Sequence, residues 1–317
     1  MSRKRWLLLL AILIPLEGAG NPERSQVYNL RQAPEPAPLQ IHRFAGSGLY
    51  WTQGEAGANT GFLVGVDGVL VIDAKATSEA TAKVVREIRR ITAKPIVKAV
   101  YTHSDIDVFN GSDGYPSGAA PVCSFGTQTE IKLMTGSMLE MNVDPGIYNT
   151  SPAVRPFHPA ELFSGRFRFT FGEDVVELLN FGAAHTGGDT IVIFPALGVA
   201  FIGDLVFGDR DPLIQDQKGG YSFGLVRALS ILLNRPELVT YVPSHAEPIG
   251  REELRANLQK IEDIQTRVIA MIDAGKSLDD VKQTFGVPDP AEGTGLWRWP
   301  SLAVTVYKEL TRTRDLR

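Results

Sequence analysis

Residues 97–111 read Val-Lys-Ala-Val-Tyr-Thr-His-Ser-Asp-Ile-Asp-Val-Phe-Asn-Gly. The first half is apolar and β-branched, which is how a buried strand reads. The second half turns to ligand chemistry, with His103, Asp105 and Asp107 at alternate positions. A strand ending in His-x-Asp-x-Asp offers one imidazole and two carboxylates from a short loop held by a rigid sheet. Nitrogen and oxygen donors that converge in this way suit a metal ion. A polar turn after a strand has a similar composition, because Ser, Asp and Asn favour turns. The stretch alone leaves the two readings level.

Outward from it, the chain alternates strands and helices. Asn59–Asp73 predicts a hairpin around Asp67-Gly68, and Thr77 or Ser78 caps a helix with Ala80, Val84, Val85, Ile88 and Ile91 on one face. Pro121–Phe125 predicts a strand that buries Cys123, and Thr127–Leu139 a helix. Arg166–Phe171 and Val175–Leu179 predict a second hairpin, Leu225–Leu233 a helix, and Arg251–Ala274 the longest helix. Glu140–Phe163 has no period and reads as a long loop over the site.

Three more donors are expected at strand ends. His185 stands in Ala183–Thr190 between two strands, Asp204 follows Gly198–Gly203, and His245 follows Val239–Val242. Three of the five histidines in the chain therefore occupy such positions, which tips the balance toward a metal site. The other two, His42 and His158, read as packing or loop residues. Asp73 and Asp189 read as supports rather than ligands, and Thr186 equally as a turn-stabilising hydroxyl or a partner of a ligand carboxylate.

Together these motifs resemble the metallo-β-lactamase superfamily, whose first motif is Thr-His-x-His-x-Asp-His. Here it reads Thr102-His103-Ser104-Asp105-Ile106-Asp107-Val108, with Asp105 and Val108 in place of histidines. Ala184-His185-Thr186-Gly187-Gly188, Gly203-Asp204 and Ser244-His245-Ala246 are similar to the later motifs. The resemblance implies an α/β fold of four-layer αββα type over residues 41–275. It also implies a zinc site built from His103, Asp105, Asp107, His185, Asp204 and His245. His103, Asp105 and His185 would hold one ion, Asp204 would bridge, and Asp107 with His245 would hold a second. Valine cannot bind metal, so Val108 makes the second ion doubtful. The implied activity is hydrolysis of an ester-, amide- or lactam-type small molecule by zinc-activated water, with Asp107 as the catalytic acid–base group. A non-catalytic binding protein of the same fold and an iron-dependent oxidoreductase remain open alternatives.

Composition bounds the rest. The 317 residues carry a net charge of −4, so no basic surface points to nucleic acid. A single cysteine excludes an internal disulfide and a cysteine-rich zinc site. Residues 1–20 pair Arg3-Lys4-Arg5 with the apolar run Trp6–Leu16, the pattern of a secretory signal peptide. That run is too short for a transmembrane span, so a secreted or periplasmic protein is expected. Residues 21–40, with Pro34, Pro36 and Pro38, read as a linker, and 276–317 as a helical extension. Oligomeric state is not legible.

Overall fold

The computed structural model describes residues 27–28, 36–140, 159–287, 297–298 and 300–314. The signal-peptide stretch, most of the linker, residues 141–158 of the expected loop and His158 lie outside the described residues. Of that loop's ends, Glu140 closes a helix and Glu161–Phe163 is a strand at a sheet edge.

Two sheets face one another. The first has seven strands in sequential order: β2 (Gln40–Arg43), β3 (Leu49–Gln53), β4 (Thr60–Val64), β5 (Val69–Ile72), β6 (Ile96–Val100), β7 (Ala120–Ser124) and β8 (Glu161–Phe163). The second runs β14 (Ile249–Gly250), β13 (Thr240–Pro243), β12 (Val199–Gly203), β11 (Thr190–Phe194), β10 (Asp174–Asn180) and β9 (Arg166–Phe171). A two-residue ladder joins β1 (Val27–Tyr28) to β15 (Trp297–Arg298).

Side chains alternate along each strand, and here both faces are apolar. In β5, Leu70 and Ile72 enter the layer between the sheets, while Val69 and Val71 pack against α1 (Ser78–Ile91). In β11, Val192 and Phe194 face inward, whereas Ile191 and Ile193 join the layer under α4 (Ser222–Leu233) and α5 (Arg251–Asp273). Each fully buried aliphatic or aromatic side chain stabilises this packing by about 1.5–3 kcal/mol. Strands apolar on both sides need a helix layer outside each sheet, which gives helix–sheet–sheet–helix. α6 (Leu278–Thr284) and α7 (Leu302–Arg314) add Val281, Leu302, Ala303 and Val306 to the second outer layer.

Local signals set several ends. Thr77 accepts a hydrogen bond from Ala80 N and caps α1, a contact worth about 1 kcal/mol. Ser277 and Asp280 form the expected capping box. Ile91 departs from the expected apolar stripe: it is 41% exposed, and the buried face of α1 ends at Ile88.

Topology places the site. β12 and β13 are parallel, and β10, two antiparallel steps from β12, runs the same way. The loops after all three therefore leave from one edge of the second sheet. β5, β6 and β7 are likewise parallel, so the loop after β6 leaves one edge of the first sheet. Ligand sites of open α/β sheets sit at such carboxyl ends.

Candidate metal centre

The loop after β6 carries His103 and Asp105, both buried, into α2 (Ile106–Phe109), a single turn that holds Asp107. Asp204 leaves β12 directly. Gly203 before it has φ +56, and a Cβ there would lie 3.2 Å from Thr102 Cβ, so glycine lets the strand end against the β6 loop. His245 follows β13 by two residues. His185 does not stand at a strand end as expected: β10 stops at Asn180, and four residues of loop intervene. That loop is seated by close backbone approach instead. A Cβ at Gly188 would lie 2.2 Å from Thr127 N at the start of α3 (Phe125–Glu140), and Ser124 Oγ and Thr127 Oγ1 both donate to Gly188 O.

The six donors meet around Asp204. Its Oδ2 lies 3.6 Å from His103 Nε2, 3.7 Å from His185 Nε2 and 3.6 Å from His245 Nε2. Asp105 Oδ2 is 3.3 Å from His185 Nε2 and 3.8 Å from His103 Nε2. His103, Asp105, His185 and Asp204 each offer a donor atom within 4.8 Å of the others. Asp107 and His245 fall outside that group, paired at 3.1 Å, and reach it through Asp204.

Two imidazoles have their tautomers set by what lies behind them. Thr102 Oγ1 donates its one proton to Asp73 Oδ2 at 2.8 Å, and Asp73 Oδ1 accepts from Thr102 N. The hydroxyl can then only accept from His103 Nδ1, 2.9 Å away, so Nε2, which faces Asp204, is the nitrogen that gives up its proton to become a ligand. His185 Nδ1 donates to the Leu213 carbonyl at 2.7 Å, with the same consequence. Asp73 itself has φ +60, held by bonds from its N–H to Val100 O and from Tyr115 Oη to its carbonyl. Backbone strain of about 1–3 kcal/mol is thus kept directly behind His103.

The sequence reads Asp209–Ser222 as a loop that shapes the pocket without a legible motif, and its Leu213–Tyr221 part lies against the donors. It is zipped to the His185 loop through Gln215 N to His185 O, Gly187 N to Lys218 O and Tyr221 N to Ala184 O. From it, Lys218 Nζ donates to Asp105 Oδ1 at 2.6 Å, and Gln215 Nε2 to Asp105 Oδ2 at 2.5 Å. Gln215 Nε2 also lies 3.2 Å from His185 Nε2. No motif marks Gln215 or Lys218, whereas Thr102 was legible as the neighbour of His103. Phe207, stacked on His245 at 5.8 Å, was likewise missed. Thr186 resolves as a turn hydroxyl, bonded to Asp189. Val108 is fully buried beside Asp107.

Electrostatics follow from this crowding. Burial disfavours charge on His103, but the negative charge of Asp204, then that of Asp105, push it up to about 10. Burial also opposes charge on His245, and Asp204 and Asp107 raise it to about 10. Burial raises Asp105, yet Lys218 first, then His185, carry it below the usual carboxylate range. Asp204 is likewise held low against burial by His245 and His103. Burial lifts Asp73 to about 7.

The donor set fits a divalent cation. Two imidazoles and three carboxylates are buried together with the half-buried His245 beside them, and His103 Nε2 and Asp204 Oδ1 have no hydrogen-bond partner among the described residues. Such buried polar atoms are rare without a ligand or water to satisfy them. The His103, Asp105, His185 and Asp204 group can supply four donors, whereas Asp107, Asp204 and His245 supply three.

Among the described residues, no helix is long and apolar enough to cross a membrane. A comparison with curated proteins finds no match. Solved structures do match. A metallo-beta-lactamase from Pontibacter korlensis aligns with TM-score 0.58 at 17% identity, over 71% of this chain and 99% of that one. One from Hirschia baltica aligns with TM-score 0.55 at 17% identity, over 71% and 98%. The stereoselective inverting sec-alkylsulfatase Pisa1 from Pseudomonas sp. aligns with TM-score 0.60 at 18% identity, over 83% of this chain but 49% of that one, so this chain matches about half its length. At these identities the likeness is one of fold. The family model for the metallo-beta-lactamase superfamily matches residues 54–245, which span the first sheet from β4 onward and every donor in the cluster. That match covers more than half of the sequence, and with a four-layer sandwich carrying the donors at its sheet edges, the chain belongs to the metallo-beta-lactamase superfamily.

Proposed function

We propose that this protein is a metal-dependent hydrolase of small molecules with an ester-, amide- or lactam-type bond. The observation that carries the reading is the convergence of His103, His185 and His245 Nε2 on one oxygen of Asp204, each within 3.7 Å. His103, Asp105, His185 and Asp204 would hold the principal ion. Asp107 and His245 would complete a second, weaker position with Asp204, one nitrogen donor short because residue 108 is valine. Zinc suits mixed imidazole and carboxylate donors, and when bound it lowers the pKa of its water from ~15.7 to ~7 and polarises the oxygen of the scissile group.

The chain's own residues do the rest. Thr102 and the Leu213 carbonyl keep His103 and His185 in the tautomer that presents Nε2. Asp107 has its Oδ2 3.1 Å from His245 Nε2, a place from which it takes a proton from water and returns it to the leaving group. Phe207, buried against His185 and His245, gives the site an apolar wall, which strengthens charge interactions by excluding water. Substrate selection falls to surrounding segments that carry no legible motif. Export by residues 1–20 belongs to the same reading, supported by their Arg-Lys-Arg start and short apolar run.

The test is elemental analysis of the purified protein, followed by hydrolysis of a panel of esters, amides, β-lactams and a secondary alkyl sulfate with and without chelator. The expected result is at least one zinc per chain and chelator-sensitive turnover that His103→Ala abolishes. Iron with redox turnover would replace this reading with an oxidoreductase, and absence of metal with a binding protein.

A further inference from the structure

We propose that Lys218 is a positioning residue of the metal centre, whose fixed charge turns Asp105 into a neutral ligand offering one oxygen. The inference rests on the metal reading above. Asp105 divides its two oxygens. Oδ2 faces the histidines, 3.3 Å from His185 Nε2 and 3.8 Å from His103 Nε2. Oδ1 is taken from the other side by Lys218 Nζ at 2.6 Å. A carboxylate so engaged cannot chelate an ion through both oxygens, and its charge is answered within the same pair. What it presents is one donor atom and no net charge, as an imidazole does.

Lys218 is built in. Its side chain is 17% exposed and that of Asp105 6%. Its N–H donates to Gln215 O and its carbonyl accepts from Gly187 N, so the backbone behind it is fixed to the His185 loop. Its Nζ also lies 3.4 Å from Ser104 O. The charge count gives the arrangement a purpose. Asp105, Asp107 and Asp204 bring three negative charges to one buried cluster, and among the described residues Lys218 is the cation ion-paired with them apart from the histidines. Without Lys218 the centre gains a negative charge and Asp105 a free second oxygen. Both changes favour larger, oxygen-preferring ions over zinc.

The experiment is a double-mutant cycle on the full-length protein, reading zinc affinity by competition with a chromophoric chelator. Asp105→His puts a neutral donor beside an ammonium that has lost its carboxylate, and zinc binding should weaken by about tenfold or more. Lys218→Met added to that variant should restore most of the loss, although the same change in the wild type should not tighten zinc. If Lys218→Met changes affinity by the same factor in both backgrounds, the pair is not coupled and the proposal is wrong. Should Asp105→His fail to fold, zinc against manganese decides. Lys218→Arg should keep the wild-type preference, Lys218→Met should shift it toward manganese by about tenfold, and no shift overturns the proposal. A folded wild-type protein that binds no zinc fails earlier, at the metal reading itself, and takes this inference with it.

Discussion

The two halves of the donor cluster share Asp204 but are built differently. On one side, His103 is backed by Thr102 and Asp73, His185 by the Leu213 carbonyl, and Asp105 by Lys218 and Gln215. On the other, His245 rests on Phe207 and pairs with Asp107, whose helical neighbour is the buried Val108. In the first half hydrogen bonds grip the ligand side chains from behind; in the second Asn59 holds the backbone on either side of His245, and the ring itself stacks on Phe207. Directed support fixes tautomer and orientation, and losing it typically costs about 10–100-fold in metal affinity. The comparison teaches that the two halves are not equivalent: the first groups four donors and fixes their side chains from behind, and the second adds only Asp107 and His245.

The largest expected effect is on the supported half. His103→Ala or His185→Ala should remove bound metal altogether, because each deletes a donor and leaves Asp105 and Asp204 as buried charges with one fewer partner; metal per chain after dialysis checks this. If either variant keeps its ion, the halves have been ranked wrongly. Next comes Val108→His, which returns a nitrogen donor beside Asp107. Metal per chain should rise from one toward two, and an unchanged stoichiometry would mean that the second half lacks more than a ligand.

Thr102→Val should weaken zinc by about 10–100-fold while the protein stays folded, since it removes only the hydroxyl between Asp73 and His103. Isothermal titration against the wild type reads this. His245→Ala is the converse: the first ion should stay within a few-fold of wild-type affinity while turnover falls. A loss as deep as that of His103→Ala would make the cluster one indivisible site.

The smallest effect concerns pH. In the metal-free protein His103 and His245 are raised to about 10, above the ~6.5 of an unfolded histidine. Their contribution to stability is therefore full below ~6.5 and is lost as pH rises through 10. Asp105 and Asp204 are lowered, so theirs is present above ~3.9 and lost toward acid. Metal must displace the histidine protons, so zinc binding should release protons and tighten with rising pH across the neutral range. Titrations in buffers of different ionisation enthalpy count them, and none released would contradict the protonation proposed for the metal-free cluster.

Much of the fold was legible because strands buried on both faces read as continuous apolar runs, as in Val69–Ile72 and Ile191–Phe194. The donors were legible because strand-end histidines are scarce and carry their neighbours with them. His103 came with Thr102, and His185 with the glycines that let its loop approach Thr127. What lay beyond reading was distance along the chain. Gln215 and Lys218 are 110 and 113 residues from the carboxylate they hold, and nothing local in Ile214–Gly220 records that contact. Ile91 failed for a related reason: its spacing fits the apolar stripe of α1, but how far along the helix the buried face runs is set by tertiary packing, and it ends at Ile88.

The most direct measurement is an anomalous-difference map at the zinc edge from crystals of the untreated protein. The account expects a peak bounded by His103 Nε2, Asp105 Oδ2, His185 Nε2 and Asp204, at about 2.0–2.2 Å from each, with a weaker peak or none beside Asp107 and His245. A map with no peak inside the cluster, in crystals soaked with zinc, would contradict it.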